Sequence, residues 1–464
     1  MSARRLAAGN VSGYPQAEGG GIGLSGPARD GYLTIRGGAG GIAVQLEELT
    51  GGAEKLDSLA ADLLAAETEV GRIGEQLGMI AGAAPWSAAP HVAAVRNSQW
   101  SLRLVRQEMQ QLSTRIRDCR REYELAEWRA DAVRFLGFAG VADIRGSMAT
   151  MAGTGVPDRS SVEGLVSTLG LESADTRRRI ARAPQLRDLL MGFLRPRPLQ
   201  LRQEETLSVA LDSSPAGLLE RVRLIDARGA GFIEILAVGA GPAKTYVVVV
   251  PGTQAAGSRM GGENPFDEAG IAEGMFYGSA EIDAAILSAL RAAGAEPGAS
   301  VVAVGYSQGG IHAMNLVADP RIRHEYNVGY VLTAGSPVAG INAPPGVGSL
   351  HLEHRADWVP GADGTPNPDT RDRVTVTLGS PPVAGPGEGG LGAGHSLSGY
   401  ENGARLVAAS SDPSLVSTTA ALGVLLGAGG SATATRFQLT RSRELPRRAP
   451  ATEPRGRERG LGGR

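Results

Sequence analysis

Along two stretches of the chain, apolar and small residues recur at alternating intervals of three and four. The first runs Leu56, Leu59, Leu63, Ala66, Val70, Ile73, Leu77, Ile80. The second runs Leu102, Val105, Met109, Leu112, Ile116, Cys119, Tyr123, Ala126, Ala130, Val133. This rhythm places each set on one face of a helix, and neither helix can bury that face alone. The link between them, AGAAPWSAAP at 81–90, is rich in turn and breaker residues. Residues 41–138 are therefore expected to form an antiparallel helical hairpin, with Cys119 packed in its apolar stripe.

From about residue 206 the period changes. Short apolar runs appear as FIEILAV (232–238), TYVVVV (245–250), SVVAVG (300–305), VGYVLTAG (328–335), LHLEH (350–354) and VTVTL (374–378). Amphipathic helical stretches such as IDAAILSALRAAG at 282–294 lie between several of them. Strands alternating with helices predict an α/β domain over 206–410, with a mostly parallel sheet covered on both faces. The remaining segments read as a Gly-rich, disordered start (1–40), a helical linker region (139–205), and an apolar segment followed by a basic disordered tail (411–464).

Composition narrows the function classes. At about 150 residues per domain, 464 residues imply two or three domains. The formal charge of −2 provides no overall field for nucleic acid. One cysteine excludes a disulfide framework or a multi-cysteine zinc site. Lys appears only as Lys55 and Lys244, which with the excess of Gly and Ala suggests the codon pool of a high-GC bacterium such as an actinobacterium. The two arginines near the start precede no apolar run, so no ordinary signal peptide is expected, and no stretch is apolar enough to span a membrane. A cytoplasmic protein, or one exported without a cleaved signal, fits these features.

The chemical signal is concentrated in VVAVGYSQGGIHAMNLVA at 301–318. A G-x-S-x-G pentapeptide alone carries little weight in a chain with 67 glycines. Its flanks supply the specificity, with an apolar strand before Gly305 and a helical pattern after Gly309. On such a strand-to-helix turn Ser307 is strained and its Oγ is expected to be exposed above the sheet. The helix N-terminus favours negative charge developing beside it.

GYSQG resembles the elbow of cutinases and related bacterial serine esterases, and the wider motif order resembles the class 3 lipases of the α/β-hydrolase superfamily. The matching segments are VVVVPGTQ (247–254), TAGSP (333–337), HRADWVPG (354–361) and GHSLSGY (394–400). The resemblance implies a serine hydrolase of carboxylic esters, acyl or lipid, that needs no cofactor. It also implies an oxyanion hole formed by the backbone of Gln308 and by Thr253, or its neighbour Gln254.

A serine nucleophile needs a general base oriented by a carboxylate, in the chain order Ser, acid, His. His324 reads as surface, and His351 and His354 lie on a strand before the candidate acid. His395, in a Gly-rich loop after the last strand, is the expected base. Asp357 follows the strand 349–354 and is the expected acid, with Asp363 next; Asp369 and Asp372 default to turn roles. His351 and His354 point to opposite faces of a strand, which argues against a shared metal ion. The segment 258–279 reads either as a flap over an acyl pocket or as a surface excursion.

The hairpin, with Trp86 in its turn, resembles the WXG-type helical proteins exported by type VII (ESX) systems, and Tyr123 with Glu127 matches their export element. That implies a helical partner protein or the secretion machinery as partner through 41–138; a purely structural helical pair is the alternative. The expectation for the whole chain is a serine esterase, and its rival is a non-catalytic type VII substrate or interaction protein on a hydrolase-like scaffold.

Overall fold

The computed structural model describes residues 28–82, 85–136, 196–239, 244–254, 262–388 and 391–442. The chain divides into two compact units, one holding Gln45–Arg129 and the other Gly26–Val44 together with Ala130–Arg464.

The larger unit is mixed α/β. Its strands are β1 (Ala28–Asp30), β2 (Leu33–Arg36), β3 (Leu199–Leu211), β4 (Phe232–Val238), β5 (Thr245–Val250), β6 (Ser300–Tyr306), β7 (Asn327–Ala334), β8 (Gly348–His354), β9 (Arg373–Leu378) and β10 (Gly430–Arg441). They form one sheet in the order β1-β2-β9-β8-β7-β6-β5-β4-β10-β3. The centre, β5 to β9, is parallel. The flanking strands pair antiparallel. The central strands are continuous apolar runs because both faces are covered. On one face, α3 (Pro215–Asp226), α8 (Leu397–Ala409) and α9 (Pro413–Leu426) pack Leu219, Tyr400 and Leu422 against Val247, Val302 and Leu350. On the other, α5 (Ala280–Ala292), α6 (Gln308–Ala318) and α7 (Pro320–Glu325) pack Ile286, Met314 and Ile322 against Val248, Val301 and Val331.

Three boundaries drawn from the sequence move. Residues 28–36 are not part of a disordered start: Leu33 and Ile35 alternate with Thr34 and Arg36, and their side chains join the core on the α3 face. The strand entering the sheet begins at Leu199, before the expected 206. It is an edge strand bonded only to β10, so its outward face stays polar and hides the period. The region 411–442 is neither a free apolar segment nor a tail, since α9 is in the core and β10 lies between β4 and β3. The arginines that made β10 look like a tail are paired, Arg436 with Glu205 at 2.6 Å and Glu234 at 2.9 Å, and Arg441 with Asp267 at 2.7 Å. The expected linker over 139–205 lies mostly outside the described residues, as does the tail beyond 442.

The smaller unit is the helical pair, α1 (Ile42–Ala81) and α2 (Pro85–Leu136). Cross-links of Glu67 with Arg103 and Arg106, Ala53 with Ser113, and Asp57 with Arg117 make it antiparallel. The stripe, however, is only half as expected. Leu56, Leu63, Val70 and Leu77 do turn inward, but their companions are Ala53, Ala60, Glu67 and Gly74, while Leu59, Ala66, Ile73 and Ile80 are exposed. On α2, Arg106 and Ser113 take the places expected of Val105 and Leu112. Small residues let the backbones approach, and Glu67, 5% exposed, is satisfied by two arginines. The turn is also tighter than the ten-residue link suggested, because α2 begins at Pro85 and carries Pro90 within it. The side chains of Trp86, Tyr123 and Glu127 lie outside the described residues. No helix among the described residues is long and apolar enough to cross a membrane.

Candidate active site

Strand β6 runs apolar and buried to Tyr306, and α6 starts at Gln308, leaving Ser307 alone at the corner. Its φ of 53° and ψ of −123° lie in a region costly to a residue with a side chain. The corner is held by its surroundings. Ser307 N–H donates to the Ala334 carbonyl of β7 at 2.8 Å. A Cβ on Gly305 would lie 2.2 Å from the Gly309 carbonyl, and one on Gly309 would lie 2.2 Å from that of Pro251. Only glycine permits strand, helix and the 251–254 turn to approach so closely.

The expected acid and base meet at this corner. His395 Nε2 is 3.0 Å from Ser307 Oγ, and His395 Nδ1 is 2.7 Å from Asp357 Oδ2. Asp357 sits past the end of β8, where its Oδ1 accepts from Val359 N–H at 2.9 Å. Its Oδ2 also accepts from the Tyr400 hydroxyl at 2.6 Å, so three donors hold a carboxylate that is 1% exposed. With the carboxylate able only to accept, His395 carries its proton on Nδ1 and presents a free Nε2 to the serine. Two tyrosines, absent from the sequence reading as site residues, fix these groups. Tyr306 stacks on the His395 ring at 5.1 Å and donates to the His395 carbonyl. Burial, then the Asp357 charge, push both the Tyr306 and Tyr400 hydroxyls above the ordinary tyrosine range, which keeps them donors. Gly335, in the TAGSP segment, leaves room for all of this: a Cβ there would stand 2.9 Å from Tyr400, 3.1 Å from Asp357 and 3.1 Å from His395.

The competitors are engaged elsewhere. Asp363 Oδ2 accepts from Ala339 N–H at 2.6 Å, and Asp372 Oδ2 from Gly346 N–H at 3.2 Å. His351 bonds Thr333 at 2.7 Å, and burial holds its pKa well below the ordinary imidazole value. His354 bonds the Ser380 carbonyl and Ala356 N–H, and burial lowers it too. His324 is exposed on α7. No His, Cys, Asp or Glu group among the described residues could hold a metal ion.

Gln308 N–H opens helix α6, where the first amides lack intrahelical partners. The turn carrying Thr253 passes over the serine, since a Cβ on Gly252 would lie 3.4 Å from Ser307 Cβ. Gln254 is not a free donor: its N–H is spent on the Phe266 carbonyl at 2.7 Å, and its side chain bonds Asp226, Gly229 and Gly231. The described part of the segment read as flap or surface excursion is packed into the domain and is no surface excursion. Phe266 is fully buried, and α4 (Glu268–Tyr277) is docked on α6 by Asn315, which donates to the Gly274 carbonyl. The expectation of an exposed nucleophile is corrected as well. Ser307 keeps 4% of its surface, because the His395 ring and the 251–254 turn close over it.

His312, a further histidine downstream of Ser307, was not foreseen as part of this region. It lies on α6, fully buried, with Nε2 3.2 Å from the Gln308 side chain. Its one-turn spacing from Gln308 was the available signal. Compared with known proteins, the chain matches no family model, no curated protein and no solved structure.

Proposed function

We propose that the protein is a serine hydrolase of carboxylic esters, acyl or lipid, on an α/β-hydrolase scaffold. The observation that carries this reading is the unbroken hydrogen-bonded chain Ser307–His395–Asp357 at a strained strand-to-helix corner. Ser307 Oγ attacks the ester carbonyl while His395 Nε2 takes its proton. Asp357 fixes the tautomer and stabilises the imidazolium that forms. His395 then protonates the departing alcohol, and water repeats the sequence on the acyl-enzyme. The backbone N–H of Gln308, with Thr253 as the second donor, stabilises the oxyanion at the positive end of α6.

The rival reading, a non-catalytic protein on the same scaffold, draws support from the 4% exposure of Ser307. Hydrolysis of p-nitrophenyl esters of increasing chain length decides between them. Turnover by the wild type that disappears in Ser307→Ala supports the esterase and ranks acyl lengths. Folded wild type without turnover on any ester supports the rival.

A second reading concerns the helical unit. Leu59, Ile73 and Ile80 of α1 and Val105 and Leu112 of α2 are exposed at heptad spacing. This arrangement favours a partner-binding module, with a helical protein or the type VII machinery as partner, over a purely structural pair. Export from a native host with and without 41–138 tests it, and unchanged export removes the secretion role.

A further inference from the structure

We propose that His312, together with Gln308, Ser279 and Asn315, is a positioning relay that sets the Thr253 turn over Ser307 for oxyanion stabilisation. The inference rests on the esterase reading and adds to it His312, Ser279 and Asn315, which touch no substrate.

The directions of the hydrogen bonds in the relay follow from its two ends. Asn315 Nδ2 donates to the Gly274 carbonyl at 2.8 Å and to Ser279 Oγ at 2.8 Å. At the other end the Gln308 side-chain oxygen accepts from Ile271 N–H at 3.2 Å and faces His312 Nε2, which must therefore donate. His312 Nδ1 thus accepts from the Ser279 hydroxyl, 2.7 Å away. That leaves the His312 proton on Nε2, which donates to the Gln308 side-chain oxygen at 3.2 Å. The Gln308 amide nitrogen then faces Thr253 Oγ1 at 3.2 Å, with the carbonyls of Phe266 and Asp267 at 3.3 and 3.2 Å. Gln308 thereby joins the two candidate oxyanion donors, one through its own backbone and the other through its side chain.

The relay is built into the core at a cost. Ser279, Gln308 and His312 are all buried, and buried polar groups are stabilising only when each finds a partner. Ser279 is, with Ser307, one of two non-glycine residues of positive φ among the described residues, at 55°. The groups facing His312 are Gln308 of its own helix, Ser279 between α4 and α5, which Asn315 holds in turn, and the Phe266 ring at 6.1 Å. Arg441 of β10, whose charge acts on the imidazole, pairs with Asp267 and anchors the same 262–267 segment. Burial first, then Arg441, hold the His312 pKa down at about 3, so the imidazole stays neutral and the bond directions persist across the working pH range.

The test compares p-nitrophenyl butyrate hydrolysis by the full-length wild type with His312→Leu, His312→Gln and Thr253→Val. Gln keeps a donor near the position of Nε2, whereas Leu removes it. His312→Leu is expected to lower kcat about 10- to 100-fold with KM within about 2-fold, the scale of a displaced oxyanion donor. The pH midpoint of kcat/KM, set by the catalytic base, stays at its wild-type position, and His312→Gln recovers most of the rate. Thr253→Val, on a half-buried turn, reports even if His312→Leu does not fold, and is expected to show a similar loss. Wild-type kcat in folded His312→Leu or in Thr253→Val overturns the relay. So does a shifted pH midpoint, which assigns the effect to His395, or failure of Gln to recover more than Leu. Folded wild type that neither turns over the ester nor reacts with a fluorophosphonate overturns the esterase reading, and the relay with it.

Discussion

The two units treat their apolar residues differently. In the sheet unit, runs such as TYVVVV and SVVAVGY are buried on both faces, so a shift of register would place nothing better. In the helical pair, the heptad fixes the period but not the phase. Leu56, Leu63, Val70 and Leu77 face α2 in company with Ala53, Ala60, Glu67 and Gly74, and Leu59, Ile73 and Ile80 remain outside. A strand apolar on both faces needs cover on both, whereas an amphipathic helix with apolar residues on two flanks leaves one flank for something else.

Substitutions at comparable positions in the two units sharpen this contrast. The largest effect is expected at the corner of the sheet unit, where Asp357→Asn lowers kcat by about 10⁴ through loss of the productive His395 tautomer. Turnover near wild type in that variant removes Asp357 from the triad. Glycine to alanine is expected to have opposite signs in the two units. At Gly309, where a Cβ meets the Pro251 carbonyl at 2.2 Å, alanine costs about 3 kcal/mol of stability in urea unfolding. At Gly52, in α1 with nothing within 4 Å, alanine raises the stability of the helical unit by about 0.5–1 kcal/mol. A loss at Gly52 as large as at Gly309 erases the distinction.

The buried glutamates of the two units titrate oppositely. Burial pushes Glu273 up to about 7, against the amides of Ile282 and Glu281 that its carboxyl accepts from. Between pH about 4.5 and 7 the unfolded chain releases this proton first. Glu273 therefore lowers stability as pH rises through that window, by on the order of 3 kcal/mol at most. Glu273→Gln keeps the accepting oxygen and is expected to flatten that slope; an unchanged slope assigns it to another group. Glu67 is held below the ordinary carboxylate value, chiefly by its hydrogen bond from Arg103. Its stabilising contribution is present above pH about 4.5 and lost on further acidification. Glu67→Gln is expected to weaken the helical unit at neutral pH, with the difference from wild type vanishing in acid. A difference that persists in acid means the charge is not what matters.

What could be read from the chain follows the same division. The six apolar runs from 232 to 378 were legible because nothing but burial accounts for them, and Ser307, Asp357 and His395 because chain order restricts the choice. Strand β10 was not, since its arginines are neutralised by Glu205, Glu234 and Asp267, residues distant in sequence. Strands β1 and β2 are too short to show a period among glycines. Gln254 was read as a possible oxyanion donor, and only the fold reveals that Phe266 takes its N–H. The phase of the helical stripe depends on Glu67 finding two arginines on the other helix, a contact between helices that periodicity does not carry.

The central claim is that Ser307 is an activated nucleophile. Reaction of the full-length protein with a fluorophosphonate, followed by peptide mass mapping, tests it most directly. The account predicts one adduct per chain, on Ser307, formed quickly in the wild type and at least about 10³-fold more slowly in a His395→Ala variant that keeps its fold. An adduct on another residue, or labelling of Ser307 at the same rate with and without the imidazole, would contradict it.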